Sequence, residues 1–528
     1  MATHNLGSWP AQLALASAHA LATGWTVGIC KFSQVLMTSP GGRFETASER
    51  RAESFLVTFG LAKAVGNLVV GGVADAHGRR PSLIVGWLAA ALMAPIVLEA
   101  TDWSQVVMSD ALLGLQQSFC WSTAIFVAVD LLGPRRSGVA VGMMETLGYT
   151  AIATSGPALA ACGTGDCVRR MYLGLLALAL ACAAASAGLM RESRETARRE
   201  EAATTTAAAT APAGGGSGGG VGGGGSVAAG AASDRLAAPT LAVVQWPSGR
   251  RDTYPVHRMA CATASCLDPA LMALCGAGLA LNLATAFAWG AMTRWLVSRG
   301  GGGGGSAAVL AAYSMPKGVL QLPFGAAADR LGHRRFVIGG LSSVASCLAM
   351  FAALAALAPA VPGSSPPPPA APAPDGDGAG DAIGDGESAS DSFDDGAVQA
   401  AAAVLAALLG AATALAYTPL LACAAARSDP TWRASALGTI RFWRDLGYAA
   451  GGVLLGGAVD AASGAVWVAA ATGAVVVALG ATAVARACPA DVPRGVVAAG
   501  PRAMRGDVEL PAAAVSGPSA YAELDESR

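Results

Sequence analysis

The sequence predicts an all-α integral membrane protein, built from twelve transmembrane helices in two pseudo-symmetric six-helix bundles. Three observations lead to this prediction. Hydrophobic residues make up 53% of the chain and charged residues only 13%, a balance outside the range of ordinary soluble domains. Twelve apolar stretches are long enough to cross a membrane, and one sequence block occurs in both halves of the chain.

Each apolar stretch approaches or exceeds the roughly 20 residues needed to cross about 30 Å of hydrocarbon. The stretches form two sets of six, one bundle within residues 1–191 and the other within 269–487. Lys31 and Arg294 interrupt the first and seventh stretches. In chain order the twelve cover residues 9–37, 54–74, 82–100, 105–132, 137–161, 171–190, 269–297, 307–328, 335–358, 398–426, 434–459 and 462–486.

Three segments differ from the bundles in composition. Residues 192–268 contain a Gly/Ser tract, and we expect a flexible cytoplasmic linker there. Residues 359–396 are Pro-rich and then acidic, and such a stretch buries too little apolar surface to become ordered. The polar tail 488–528 is likewise expected to be disordered.

The distribution of arginine predicts the orientation in the membrane, because short cytoplasmic loops are enriched in basic residues. With the amino terminus inside, the inner connections include Arg79, Arg80, Arg135 and Arg136, and further arginines open the linker. The outer loops hold fewer arginines. Both termini are therefore expected in the cytoplasm, and the sequence does not distinguish a plasma membrane from an organelle membrane.

The duplicated block consists of an apolar run with one lysine, a glycine-rich turn with basic residues, and a second apolar run. Its copies are GLAKAVGNLVVGGVADAHGRRPSLIVG from Gly60 and SMPKGVLQLPFGAAADRLGHRRFVIGG from Ser314, which align without a gap. The first lysine falls on the second, Lys63 on Lys317. This pattern predicts two membrane helices joined by a tight charged loop, made twice.

The loop sequences GGVADAHGRRP at 71–81 and GAAADRLGHRR at 325–335 resemble the signature loop of the major facilitator superfamily. In that family the loop links helices 2 and 3, with a second copy between helices 8 and 9. The pairing of RFWRDLGYAAG at 441–451 with ETLGY at 145–149 is similar to poorly characterised bacterial members. The resemblance covers all twelve predicted helices and implies the major facilitator fold.

The resemblance also implies that both loops act as conformational latches on the cytoplasmic face. Gly71 and Gly325 would allow close helix approach, and Gly78 and Gly332 would permit a positive φ in the turn. The alternative is that the arginines only fix the topology. The predicted gating residues are Gly71, Asp75, Gly78, Arg79, Arg80, Gly325, Asp329, Gly332, Arg334 and Arg335.

Charged residues inside apolar helices are costly in lipid and usually face a polar cavity or a partner. At about 1.5 Å of rise per residue, six such residues lie roughly 12–18 Å from the cytoplasmic helix ends, near the bilayer midplane. Transporter binding sites occupy that depth. The six are Lys63, Lys317, Glu145, Arg441, Arg444 and Asp445.

These six residues carry a surplus of positive charge, which an anionic substrate would neutralise. The alternative is structural: Arg441 and Asp445 pair at i and i+4 on one helix face, with Arg444 turned toward Glu145. The alternative for the lysines is that their side chains extend to the membrane–water interface, although from the midplane they would reach it poorly. Glu145 is the candidate proton carrier, and symport, antiport and uniport stay open.

The cysteines show no metal-ligand spacing, and we expect neither a metal nor another cofactor. Cys162 and Cys167 fall in a predicted outer loop, where an oxidising environment would permit a disulfide. The Gly-rich tracts lack the lysine of a nucleotide-binding loop. No nucleophile with a base is evident within the helices, so we expect no enzyme.

The sequence therefore predicts a secondary active transporter that moves a small solute by alternating access between two bundles. Its expected partners are a small-molecule substrate, the lipid bilayer and protons, without nucleic acid, and the protein is expected to be a monomer. The alternative function is a transporter-like membrane receptor or sensor that binds without translocating. Its signature loops would be altered, whereas both copies here are intact.

Overall fold

The structure is a computed structural model of the chain. It describes residues 8–132, 137–162, 166–193, 241–245, 251–255, 261, 263–358, 395–427 and 433–488. Most of the predicted linker, acidic loop and tail lies outside these described residues.

The amino-terminal half consists of six long helices, preceded in one case by a single helical turn. That turn, Glu49–Ala52, comes directly before α2. The six helices are α1 (Trp9–Thr38), α2 (Ser54–His77), α3 (Arg79–Glu99), α4 (Trp103–Leu132), α5 (Ser137–Cys162) and α6 (Asp166–Gly188).

The carboxy-terminal half repeats this order with two interrupted helices. α7 consists of Pro269–Trp289 and Ala291–Leu296, separated at Gly290. α8 consists of Gly302–Val319 and Gln321–Leu331, separated at Leu320. The remaining helices are α9 (His333–Leu357), α10 (Asp395–Arg427), α11 (Arg433–Ala461) and α12 (Val466–Ala487). All twelve predicted stretches thus correspond to helices.

Helix pairing is the same in both halves. α1 packs on α5, α2 on α4, and α3 on both α4 and α6. In the second half, α7 packs on α11, α8 on α10, and α9 on both α10 and α12. Equivalent helices therefore have equivalent neighbours, as expected for two copies of one six-helix bundle.

Two helix pairs join the halves. α2 packs along α11, and α5 packs along α8. The approach is close: a Cβ added at Gly60 of α2 would lie 2.7 Å from the backbone nitrogen of Ala449 in α11. A larger residue at Gly60 would therefore push the halves apart.

Nine helices in the described part of the chain are long and apolar enough to cross a membrane. The three helices outside this set, α5, α8 and α11, all lie at the interface between the halves. α11 carries Arg441, Arg444 and Asp445 there, which lowers its mean hydropathy. Polar residues are tolerated at these positions because they face protein rather than lipid.

The described pieces of the predicted linker are not all without secondary structure. Two strands, β1 (Leu241–Gln245) and β2 (Arg251–Pro255), form an antiparallel pair with Leu241 opposite Pro255. A π-helical turn at Thr263–Leu267 precedes α7. These short pieces have regular secondary structure, and the flexible linker over 192–268 stays a prediction.

Candidate functional site

The candidate site is a narrow cavity between the two halves. Polar and aromatic side chains from α2, α4 and α5 of the first half and α7, α10 and α11 of the second half surround it. In this conformation the enclosed space holds about one water molecule. The lining residues are Lys63, Asn67, Gln117, Trp121, Ser122, Glu145, Tyr149, Asn282, Tyr417, Arg441, Arg444 and Tyr448.

Asp445 lies beside this cavity as a fully buried carboxylate. Arg444 donates to it from Nε and Nη2, each at 2.8 Å, and Asn282 donates from Nδ2 at 2.9 Å. Asn67 also donates to it across the interface, and the Nζ of Lys63 lies 3.4 Å away. Both halves therefore share one anion, which compensates for part of the positive charge.

Arg441 lies one helical turn before Arg444 and has a different partner. Its Nη1 donates to the Ser122 hydroxyl at 3.0 Å, and that hydroxyl donates to Oδ1 of Asn67 at 2.8 Å. No carboxylate in the described part of the chain forms an ion pair with Arg441. Its charge is thus held by neutral groups at the wall of the cavity.

Glu145 comes from α5, on the first-half side of the cavity. Its Oε1 accepts from the Tyr417 hydroxyl at 3.2 Å, and that hydroxyl also accepts from Arg444. Its Oε2 is buried and has no hydrogen-bond partner among the described residues. The predicted orientation of Arg444 toward Glu145 is therefore realised only through Tyr417.

The two duplicated lysines have different surroundings. Lys63 is paired with Asp445, whereas Lys317 donates to the hydroxyls of Thr285 at 3.2 Å and Tyr313 at 3.0 Å. The ammonium group of Lys317 also lies 4.5 Å from the ring centre of Tyr149. Lys317 is fully buried next to the cavity and is not among its lining residues.

The third lysine, Lys31, lies within the first half. It pairs with Asp110 of α4 at 3.0 Å and lies 3.9 Å from the ring centre of Phe59. Gln34 also donates to Asp110, at 3.0 Å. The charge of Lys31 in the apolar helix α1 is thus balanced by Asp110 within the same bundle.

The alternative i, i+4 pair between Arg441 and Asp445 does not form. Asp445 is turned toward its neighbour Arg444 and toward α2 and α7, while Arg441 faces Ser122 of α4. The physical reason is that donors from three helices surround Asp445 at once. A pair on one helix face would satisfy only part of that carboxylate.

Sequence reasoning did not identify the neutral members of the site. Asn67 follows Lys63 by four residues and therefore lies on the same helix face, a signal that could have been used. Asn282 is a polar residue in a strongly apolar helix. Ser122 and Tyr417 gave no pattern that distinguishes them from packing residues.

The first signature loop adopts the predicted turn. Gly78 has φ +100, and the helix resumes at Arg79. The guanidinium of Arg79 donates to Asp130 of α4 at 3.1 Å, and its backbone N–H donates to Glu192 at 2.9 Å. Arg80 donates to the carbonyl of Ala187. The side chain of Asp75 lies outside the described part.

The second loop has the same turn, with Gly332 at φ +102. Arg334 donates to the carbonyls of Cys488 at 2.8 Å and Ala485 at 2.7 Å, at the end of α12. Arg335 is exposed. Asp329 pairs with His333 and lies against Gly138 of α5, so this loop contacts the other half.

The close helix approach predicted at Gly71 is not seen among the described residues. A Cβ added there would meet no described atom within 4 Å. At the equivalent Gly325, a Cβ would lie 2.9 Å from Cγ2 of Thr418. Among the described residues, the close approach is therefore seen at Gly325 and not at Gly71.

At the opposite end of the molecule, a group of charged residues joins the halves. Arg294 donates from Nε to Glu49 at 2.9 Å and also to the carbonyls of Thr38 and Thr46. Asp460 of α11 accepts from the backbone N–H of Glu49 at 2.7 Å. We call the group Glu49, Glu53, Arg294 and Asp460 the distal cluster.

Cys167 is disulfide-bonded. The side chain of its predicted partner, Cys162, lies outside the described part, so that pairing stays a prediction. The described residues hold no group of three His, Cys, Asp or Glu side chains that could bind a metal ion.

These features define the class of protein: an all-α, multi-pass integral membrane protein with the major facilitator fold. The structure matches the crystal structure of a mutant of the nucleoside transporter NupG with a TM-score of 0.58 and 13% identity. The match covers 91% of this chain and 100% of that chain. No protein-family model and no curated protein matches the sequence. At this identity the match establishes the fold.

Proposed function

We propose that the protein is a secondary active transporter that moves a small organic anion by alternating access. The observation that carries this proposal is the central charge cluster, to which both halves contribute. Its cations Lys63, Lys317, Arg441 and Arg444 outnumber its carboxylates Glu145 and Asp445.

Arg441 is the proposed anchor for the anion, because its described partner is a neutral hydroxyl. Asp445 serves as an internal counterion for Lys63 and Arg444. A guanidinium binds a carboxylate with two parallel hydrogen bonds, which orients the substrate as well as attracting it. An anion bound to Arg441 would lie in the same cavity as Glu145 and Tyr417.

Glu145 is the proposed proton carrier. Its Oε2 has no partner among the described residues, so protonation of this oxygen would break no existing hydrogen bond. Tyr417 links Glu145 to Arg444, and protonation would therefore change the charge balance around the anion site. In this proposal the signature loops open and close on the cytoplasmic side, where both termini lie.

The test is uptake of organic anions by the purified protein in liposomes under an imposed proton gradient. Arg441→Gln is expected to lower kcat/KM at least about thirtyfold, because a buried charge partner contributes roughly 2–5 kcal/mol to binding. Arg486→Gln is the matched control, since Arg486 is exposed on α12. Glu145→Gln should retain anion exchange but lose the response to the gradient.

Two outcomes would contradict the proposal. Saturable binding without flux would favour the receptor alternative. Flux of neutral or cationic solutes that is unchanged in Arg441→Gln would exclude the anion site and leave the transporter fold standing. A nucleoside belongs among the neutral solutes, because the matched structure is described as a nucleoside transporter.

A further inference from the structure

The cavity contains hydrogen-bond acceptors that no described residue satisfies. Oε1 of Gln117 and Oε2 of Glu145 are both buried without a partner. Both residues line the cavity, and their side chains are almost completely buried. A buried acceptor without a partner costs about 1–3 kcal/mol, so a ligand that donates to it gains that much over one that does not.

Arg441 lines the same cavity and offers hydrogen-bond donors. Arg441 carries five N–H donors, of which one goes to the Ser122 hydroxyl at 3.0 Å. A carboxylate would accept from the remaining donors. An anionic acceptor would therefore complement Arg441, and hydrogen-bond donors would complement Gln117 and Glu145.

The net charge of the cluster selects the kind of donor. A zwitterion such as an amino acid satisfies Glu145 with its ammonium group but leaves the positive surplus unneutralised. A hydroxyl group donates to the same acceptors without adding positive charge. A carboxylate with one or more hydroxyl groups meets both requirements.

The aromatic residues of the site do not require an aromatic substrate. The rings of Tyr149, Tyr448 and Tyr417 are each approached by a cation of the protein, at 4.5, 5.0 and 5.0 Å from the ring centre. Trp121 contacts Tyr149 edge to face, with ring centres 5.5 Å apart. These rings stabilise the buried cations and form an apolar wall.

We propose that the substrate of this site is a hydroxycarboxylate, with its carboxylate on Arg441 and its hydroxyl groups donating to Gln117 and Glu145. This inference rests on the proposed function, since it names the substrate class of the same cavity. It goes further because it assigns Gln117 as a residue that determines specificity.

The experiment measures binding to the full-length protein in nanodiscs by calorimetry, with probes of two lengths. The three-carbon set is lactate, propionate and propane-1,2-diol, and the six-carbon set is gluconate, hexanoate and glucitol. In at least one set the hydroxycarboxylate should bind at least about tenfold tighter than the unsubstituted carboxylate, as expected for one to two hydrogen bonds. The affinity of the hydroxycarboxylate should exceed that of the corresponding polyol by a larger factor.

Gln117→Leu should lower the ratio between hydroxycarboxylate and unsubstituted carboxylate, because one of the two acceptors for the hydroxyl groups is lost. Gln116→Leu is the matched control, because Gln116 is the adjacent buried glutamine and does not line the cavity. That variant should keep the wild-type ratio. The wild-type ratio alone tests the proposal if Gln117→Leu does not fold.

The outcomes separate this inference from the proposed function. Equal binding of substituted and unsubstituted carboxylates, or a ratio unchanged in Gln117→Leu, overturns the hydroxycarboxylate assignment and leaves anion transport standing. Binding of polyols or uridine without binding of any carboxylate overturns both.

Discussion

Asp445 is the residue that holds several positive charges together within the membrane. Its carboxylate accepts from Arg444, Asn67 and Asn282 and lies beside Lys63, so four side chains from three helices depend on it. A buried ion pair is costly to break, because the remaining charges are left without compensation. The residue therefore combines a structural role with an electrostatic one.

We expect Asp445→Asn to destabilise the protein by about 3–5 kcal/mol, since it leaves Arg444 and Lys63 buried without a counterion. Thermal unfolding of the purified protein in detergent measures this change. Asp166→Asn is the control, because Asp166 is an exposed acid at the start of α6. Equal midpoints for the two variants would contradict the assigned role of Asp445.

The central residues differ in how far the sequence could predict them. Spacing along each helix predicted that Lys63, Glu145, Arg441 and Arg444 would lie at one depth, and all four line one cavity. Spacing does not fix how a helix is rotated against its neighbours. The alternative that paired Arg441 with Asp445 is therefore not realised, since Arg441 contacts Ser122 from a helix on the other side of the interface.

At the level of elements, the helices themselves were predictable because hydropathy identifies spans directly. The breaks within α7 and α8 were not. Gly290 interrupts α7 where the carboxyl of Glu53 packs against it, and a Cβ added there would lie 2.3 Å from Oε1. The contact at that break comes from the other half, which the local sequence does not contain.

The distal cluster contains an acid that is buried outside the spans. Burial raises the pKa of Glu53 well above its ordinary value, and the nearby Glu49 raises it further. Arg294 and the backbone N–H of Ala291 oppose this effect, while Asp460 adds to it. Burial likewise raises the pKa of Glu49. The cluster is therefore more stable when Glu53 is protonated.

The contact between the halves at this cluster should weaken as the pH rises. Separated halves would hydrate Glu53 and return its pKa to about 4.3. Because the pKa of Glu53 is higher in the joined state, that state binds more protons than the separated state at pH values above about 4.3. The free-energy advantage of the joined state therefore falls as the pH rises, until the pH passes the raised pKa. Hydrogen–deuterium exchange of residues 46–52, corrected for intrinsic rates, should be faster at pH 8 than at pH 5.

Glu53→Gln should remove most of this pH dependence. Glu99→Gln is the control, because Glu99 is an exposed acid at the end of α3 near the same end of the molecule. The same pH dependence in Glu53→Gln as in the wild-type protein would assign the effect to another group of the cluster.

At the scale of the whole molecule, the repeated helix pairing explains why one sequence block duplicated in the chain could predict two bundles. Each copy places the same helices next to each other, so a pattern found in one half carries over to the other. The two helix pairs that join the halves are also equivalent, since α2 corresponds to α8 and α11 to α5. Individual contacts of Arg294 and Asp460 with Glu49 add to these pairs at one end of the interface.

The connection between α9 and α10 should be dispensable for folding. Arg299 donates to the carbonyl of Ala358 at 2.8 Å and to Oδ1 of Asp395 at 2.8 Å, so one guanidinium holds the two ends of this connection close together. A short flexible linker of about eight residues spans such a gap easily. Loop-closure entropy changes by only about 0.6 kcal/mol for each doubling of length, so shortening should stabilise the protein by roughly 1 kcal/mol.

Replacing residues 359–394 by such a Gly/Ser linker tests this expectation. The thermal midpoint in detergent should be equal to or slightly above that of the full chain, and liposome uptake should be retained. The same replacement combined with Arg299→Ala is the informative comparison, because the loop ends are then held only by the new linker. A loss of folded protein in the short-linker variant with Arg299 intact would mean that the connection itself packs against the bundles, and that its role extends beyond joining two helices.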